Sequence, residues 1–90
     1  MNHSPEETQR LRINLLRQCK AASLLGQTLS ALSVGARLEA FDANEKRIDE
    51  ECDHLADLGL LRLVEAKFSR DVKRYKLTAE GREWLAQQGF

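Results

Sequence analysis

At 90 residues, 42% hydrophobic and 31% charged, the chain has the composition of one folded domain with one core, and too little length for a second. Fourteen basic residues balance fourteen acidic ones, so the whole molecule generates no strong field toward a polyanion or a membrane surface. No apolar run is long enough to cross a bilayer and the polar start MNHSPEETQR lacks the apolar stretch of a secretory signal, so the expectation is a cytoplasmic protein.

Residues 1–4 read as a flexible lead-in to a single domain spanning 1–90. Ser4, Pro5, Glu6 and Glu7 supply a cap hydroxyl, a proline where no amide donor is missed, and a carboxylate three positions on, so a helix starts there. Leu11, Leu15, Leu16, Cys19 and Ala22 recur at three and four as a core-facing stripe, while Arg10, Arg17 and Lys20 point away. Ile13 falls at the margin, suited either to covering the core's edge or to meeting a partner chain. After Leu25 and Gly26 a second helix is predicted from about Gln27 to Ala40, with Leu29, Leu32 and Ala36 inward and Gly35 lowering its propensity by roughly 1 kcal/mol. Phe41 and Asp42 make a turn. Asn44 then caps a third helix in which Ile48, Cys52 and Leu55 recur, and Gly59 stops it in a left-handed conformation.

From Leu60 the period becomes two. Leu61 and Leu63 alternate with Arg62, and Tyr75 and Leu77 alternate with Arg74 and Lys76, so two short strands form a hairpin with Tyr75 anchored in the core. Thr78 caps a last helix carrying Gly81, Trp84 and Leu85. Three helices, a two-stranded hairpin and a closing helix in so short a chain predict an α+β, mostly helical winged helix-turn-helix.

The residues Ile48, Cys52, Leu55, Gly59, Leu60 and Leu61 resemble the end of the third helix and the approach to the wing in MarR, PadR and ArsR type regulators. Leu77, Thr78, Gly81 and Leu85 match the LTxxGxxxL pattern that follows the wing in the MarR and PadR groups. The chain also resembles the small winged-helix proteins of Mu-like transposable phages in its length, its Phe41–Asp42 turn and its closing LTxxG helix. The resemblance implies a transcriptional regulator or phage-type accessory factor that binds double-stranded DNA, with the third helix in the major groove and the wing on phosphate or in the adjacent minor groove. Homodimerisation through the first and last helices is implied as well, with Ile13, Trp84, Leu85 and Phe90 as candidate contacts, the tryptophan and leucine equally suited to closing the core.

Candidate DNA contacts are Lys46 and Arg47 at the start of the third helix and Lys67, Arg70, Lys73 and Arg74 around the wing. Asp49, Glu50 and Asp53 continue the exposed face of that helix and oppose a phosphate backbone. They suit instead a basic protein partner, an alternative reading without DNA. The adjacent acids Glu50 and Glu51 point in different directions on a helix and read as solvent-facing charge. Cys19 and Cys52 lack the close ligand pairs of a zinc site and read as buried, reduced thiols. Neither His3 nor His54 has partners for metal binding or nucleophilic chemistry, and no phosphate-binding glycine loop is present. The sequence therefore predicts no catalytic residues, no metal and no cofactor.

Overall fold

The computed structural model describes residues 4–22, 25–64 and 73–90. In chain order these form α1 (Pro5–Ala21), β1 (Gln27–Thr28), α2 (Leu29–Leu38), α3 (Glu45–Asp57), β2 (Leu61–Val64), β3 (Arg74–Leu77) and α4 (Ala79–Gln87).

Every described helix starts on a side-chain oxygen that takes up a backbone donor the helix leaves unpaired. Ser4 Oγ accepts from Glu7 N–H at 3.1 Å, Thr28 Oγ1 from Ala31 N–H at 3.1 Å, Asn44 Oδ1 from Arg47 N–H at 2.8 Å, and Thr78 Oγ1 from Gly81 N–H at 2.9 Å. The predicted caps at Ser4, Asn44 and Thr78 are thus in place. Thr28 was not among them, and it corrects the second helix: α2 begins two residues late because Gln27 and Thr28 pair with Tyr75 and Arg74 as a short strand. Among the described residues the sheet accordingly has three strands rather than two, all antiparallel, in the order β1-β3-β2.

Helix α2 also stops short of Ala40, which stands in the left-handed region at φ 65°. There Ala40 N–H donates to Arg37 O and Phe41 N–H to Ala36 O, both at 3.0 Å, closing a Schellman turn on alanine rather than glycine. The same turn ends α3 as predicted. Gly59 has φ 79°, its N–H donates to Ala56 O, and Leu60 N–H donates to Leu55 O, each at 3.0 Å.

Leu11, Leu15, Leu16 and Cys19 of α1 form the centre of the core, met by Leu32 and Ala36 from α2 and by Ile48, Cys52 and Leu55 from α3. Leu61, Tyr75 and Leu77 close it from the sheet and Leu85 from α4. Leu63 departs from the expected alternation: it is 43% exposed although Tyr75, directly across, is fully buried. The helices cover the central strand β3 at that row and not the edge strand β2.

The LTxxG segment has a packing explanation. Thr78 N–H donates to Leu60 O at 3.2 Å, and its hydroxyl lies 2.6 Å from Gly59 O and 3.0 Å from Leu60 O. One turn later, a side chain at Gly81 would run into that same Leu60 carbonyl and into Leu77 Cδ1. Glycine lets the start of α4 sit directly on the start of β2.

Candidate nucleic-acid interface

The outward face of α3 carries most of the residues expected to meet a ligand, and the structure divides them. Lys46 is exposed beside the helix start, as a contact residue must be. Arg47, the other candidate contact there, is not presented to solvent in the way a DNA contact requires. Its side chain is only 14% exposed; Nη1 donates to Asp42 O at 2.6 Å and lies 3.6 Å from Glu7 Oε1, which ties the guanidinium back to the α2–α3 turn and α1. Glu51, expected in solvent, instead accepts from Arg12 Nε at 2.6 Å and pins α1 to α3.

The acids of α3 are also partly spent inside the molecule. Tyr75 Oη lies 3.1 Å from Asp49 Oδ1 and 3.0 Å from Asp53 Oδ1, and Lys73 Nζ reaches both oxygens of Asp49 at 3.1 and 3.3 Å. Burial pushes the Tyr75 phenol well up, and its hydrogen bonds and proximity to the two carboxylates add to this. The hydrogen bond to Asp49 raises the Lys73 ammonium, helped by that carboxylate's charge. The node couples the base of the hairpin to α3. Glu50 remains an exposed acid beside it.

Lys67 and Arg70 lie outside the described residues. Arg74 falls on β3 opposite Val64 and Thr28, on the side of the sheet away from the core. That side holds two cations not singled out from the sequence. Arg62 and Lys76 are direct cross-strand partners and alternate with the buried Leu61, Tyr75 and Leu77, so they share the solvent face with Arg74. The signal was present in the period-two pattern but needed the strand register to bring residues 62 and 76 together. Neither these two nor Arg74 has an acidic partner among the described residues.

Of the four candidate dimer contacts, Leu85 is corrected: it is fully buried in the core and has no surface to offer. Trp84 is half-buried against that core. Ile13 and Phe90 line one surface groove of about 480 Å³ with Phe41, and the Arg17 guanidinium lies 4.4 Å from the Phe90 ring centre. Both cysteines are free and buried, and burial pushes the Cys19 thiol up to about 12. The described residues contain no group of three or more histidines, cysteines and acids that could hold a metal ion. No described helix is long and apolar enough to cross a membrane.

No protein-family model matches the sequence, and no curated protein matches it. Among solved structures, the transcriptional regulator BldR from Sulfolobus solfataricus superposes with a TM-score of 0.70 at 19% sequence identity, over 87% of this chain and 50% of that one. The chain spans about half the length of that regulator, and the likeness establishes the fold: among the described residues, four helices and a small antiparallel sheet in the winged-helix arrangement.

Proposed function

We propose that this domain binds double-stranded DNA as a transcriptional regulator or phage-type accessory factor, through the wing and the start of α3. The observation that carries the reading is the placement of the hairpin against α3. Lys73 joins the two through Asp49, so the cations around the hairpin and the exposed Lys46 belong to neighbouring elements of one domain. Its winged-helix fold, shared with a transcriptional regulator, supports the same reading. Lys46, Arg74 and the wing residues Lys67 and Arg70 supply charge for phosphate, with Lys73 and Arg47 available only on leaving their internal partners. The alternative, a protein-binding module using Asp49, Glu50 and Asp53, is weakened because two of those three acids are engaged by Tyr75. Homodimerisation through Ile13, Trp84 and Phe90 fits the same proposal, since symmetric sites reward two copies.

The test is duplex binding by fluorescence anisotropy across a salt series. Lys46→Ala and Arg74→Ala should each weaken binding to unrelated duplexes by similar factors and reduce the slope of log K against log salt by about 0.9. Absence of duplex binding by the unaltered protein at low salt rejects the reading.

A further inference from the structure

We infer that the groove along α1 between Phe41 and Phe90 is a docking site for an acidic amphipathic helix of a partner protein, with Arg10 and Arg17 as its anchors. No residue of α3 or of the hairpin lines this groove, so it is separate from the surface proposed for DNA.

Two helix ends build its walls. After α2, Phe41 N–H donates to Ala36 O at 3.0 Å; after α4, Phe90 N–H donates to Leu85 O at 2.9 Å and Gly89 N–H to Ala86 O at 3.1 Å. Both phenylalanines thus hold the same place in a Schellman turn, just past a left-handed residue, Ala40 in one case and Gly89 in the other. The turns bring both rings to α1, where the Arg10 guanidinium lies 5.7 Å from the Phe41 ring centre and that of Arg17 lies 4.4 Å from the Phe90 ring centre. Ile13 contributes an apolar side chain to the same groove of about 480 Å³. Its lining is fixed by Gln18, whose Nε2 donates to Asn14 Oδ1 at 2.8 Å and to Leu32 O at 3.2 Å. A side chain at Gly35 would run into that amide, which accounts for a glycine within α2.

An exposed arginine without an acidic partner is ordinary; Lys46, Arg37 and Arg82 also lack a carboxylate among the described residues. What sets Arg10 and Arg17 apart is where they are held. The two cation–aromatic contacts among the described residues both lie in this groove. A guanidinium over a ring face keeps its edge donors free, and those donors match the two oxygens of a carboxylate. Phe90 is itself 45% exposed although its carbonyl accepts from Lys20 Nζ at 2.7 Å, so an aromatic surface is held in place and left uncovered.

Spacing identifies the occupant. Seven residues advance an α-helix by about 10.5 Å and turn it through nearly two full turns, so Arg10 and Arg17 lie on one side of α1 about 10 Å apart. One small carboxylate cannot reach both. A strand sets same-side residues about 7 or 13 Å apart and misses the interval. A second helix matches it with acids at i and i+7, and apolar residues at i+3 and i+4 between them then meet Ile13 and the rings. Among the described lining residues Glu39 is the single acid against the two arginines, which leaves the groove positive. A second copy of the chain pairing through Ile13 and Phe90 competes for the same side chains. Two-fold pairing sets one arginine-bearing patch against another, whereas an acidic helix neutralises the patch.

The probe is a synthetic alanine-based helical peptide with glutamates seven apart and leucines three and four positions after the first glutamate, read by fluorescence anisotropy at low salt. The full chain should bind it and should not bind the same peptide with lysines in place of the glutamates. Arg10→Gln and Arg17→Gln should each weaken binding roughly 3- to 10-fold. Both side chains are exposed, so urea midpoints should stay within about 1 M of the parent. The double reversal Arg10→Glu with Arg17→Glu should take the lysine peptide instead, an exchange that a merely structural role of the arginines does not give. No binding of the glutamate peptide by the unaltered protein, or equal binding of the two peptides, overturns the inference. Displacement by benzoate at the peptide's own concentration would assign the groove to a small acid, and displacement by duplex would assign it to nucleic acid. A dimer in light scattering that Phe90→Ala disperses, without peptide binding, would assign it to a second copy. Each of these also overturns the inference, and none of them decides whether the domain binds DNA, which the salt series measures separately.

Discussion

Replacing Gly81 by alanine probes the packing of α4 on the hairpin. The added methyl would overlap the Leu60 carbonyl oxygen and press on Leu77 Cδ1. A backbone carbonyl cannot turn aside as a side-chain tip does, so α4 and the start of β2 must move apart. Overpacking of this kind costs about 1–3 kcal/mol. The Thr78 N–H and hydroxyl bonds to Leu60 O, at 3.2 and 3.0 Å, are strained by the same movement. Bonds of this type contribute about 0.5–1.5 kcal/mol each, while alanine returns about 1 kcal/mol of helix propensity. The balance is a net loss of about 2 kcal/mol. For a domain of this size that lowers Tm by roughly 8–16 °C, and with an m-value of about 1 kcal/mol/M it lowers the urea midpoint by about 2 M. Urea titrations followed by far-ultraviolet circular dichroism and by Trp84 fluorescence measure the shift. Gly35→Ala is the comparison: its methyl would meet the amide end of Gln18, a side-chain tip that can move at the expense of its hydrogen bonds to Asn14 Oδ1 and Leu32 O, against about 1 kcal/mol of helix propensity regained, so its midpoint should fall by about 1 M or less. A Gly81→Ala protein as stable as the parent would show that helix propensity governs this position and would refute the close-approach argument.

Ala40→Gly should stabilise the domain by about 0.5–1 kcal/mol: an L-residue at φ 65° costs roughly 1–2 kcal/mol, and glycine gives back about 0.4–1 through the unfolded chain. A lowered urea midpoint would contradict this. The thiols predict a pH dependence. Burial raises Cys19 to about 12 and raises Cys52 as well, with the neighbouring Cys19 and acids adding to the latter. The folded protein therefore holds these protons more tightly than the unfolded chain, whose thiols titrate near about 8.5. The stability they contribute is whole below that pH and is lost as pH rises toward the folded values, at about 1.4 kcal/mol per pH unit for each thiol. Urea midpoints should stay level with respect to the thiols up to about pH 8.5 and fall beyond it, and a thiol reagent should label the native protein no faster than it unfolds. Rapid labelling of the native state would show the thiols to be exposed.

Much of the fold was legible because it rests on local chemistry. Ser4, Asn44 and Thr78 announce helix starts by their own side chains, Gly59 announces a stop, and the three- and four-residue spacing of Leu11, Leu15, Leu16 and Cys19 marks a buried stripe. What escaped depended on partners distant in sequence. Gln27 and Thr28 become a strand only because β3 lies beside them, and Ala40 accepts a left-handed turn because Phe41 packs against the core behind it. Leu85 was readable as a core residue or a contact, and the helical packing of α4 on α1 decided for the core.

The candidate site was less legible because charge along the chain is not charge on a surface. Counted by segment, α3 is acidic and the hairpin basic, and the two oppose each other at a phosphate backbone. In three dimensions Asp49 and Asp53 turn to Tyr75 and Lys73, Glu51 turns to Arg12, and much of that acidity is used to hold helix and sheet together. The same contacts withdraw Arg47 and Lys73 from the set of available cations. Arg62, Arg74 and Lys76 are left uncompensated among the described residues because the period of a strand, unlike that of a helix, places them all on the side of the sheet that no helix covers. A chain with no net charge thereby acquires a positive face, and the strand register rather than composition determines where it lies.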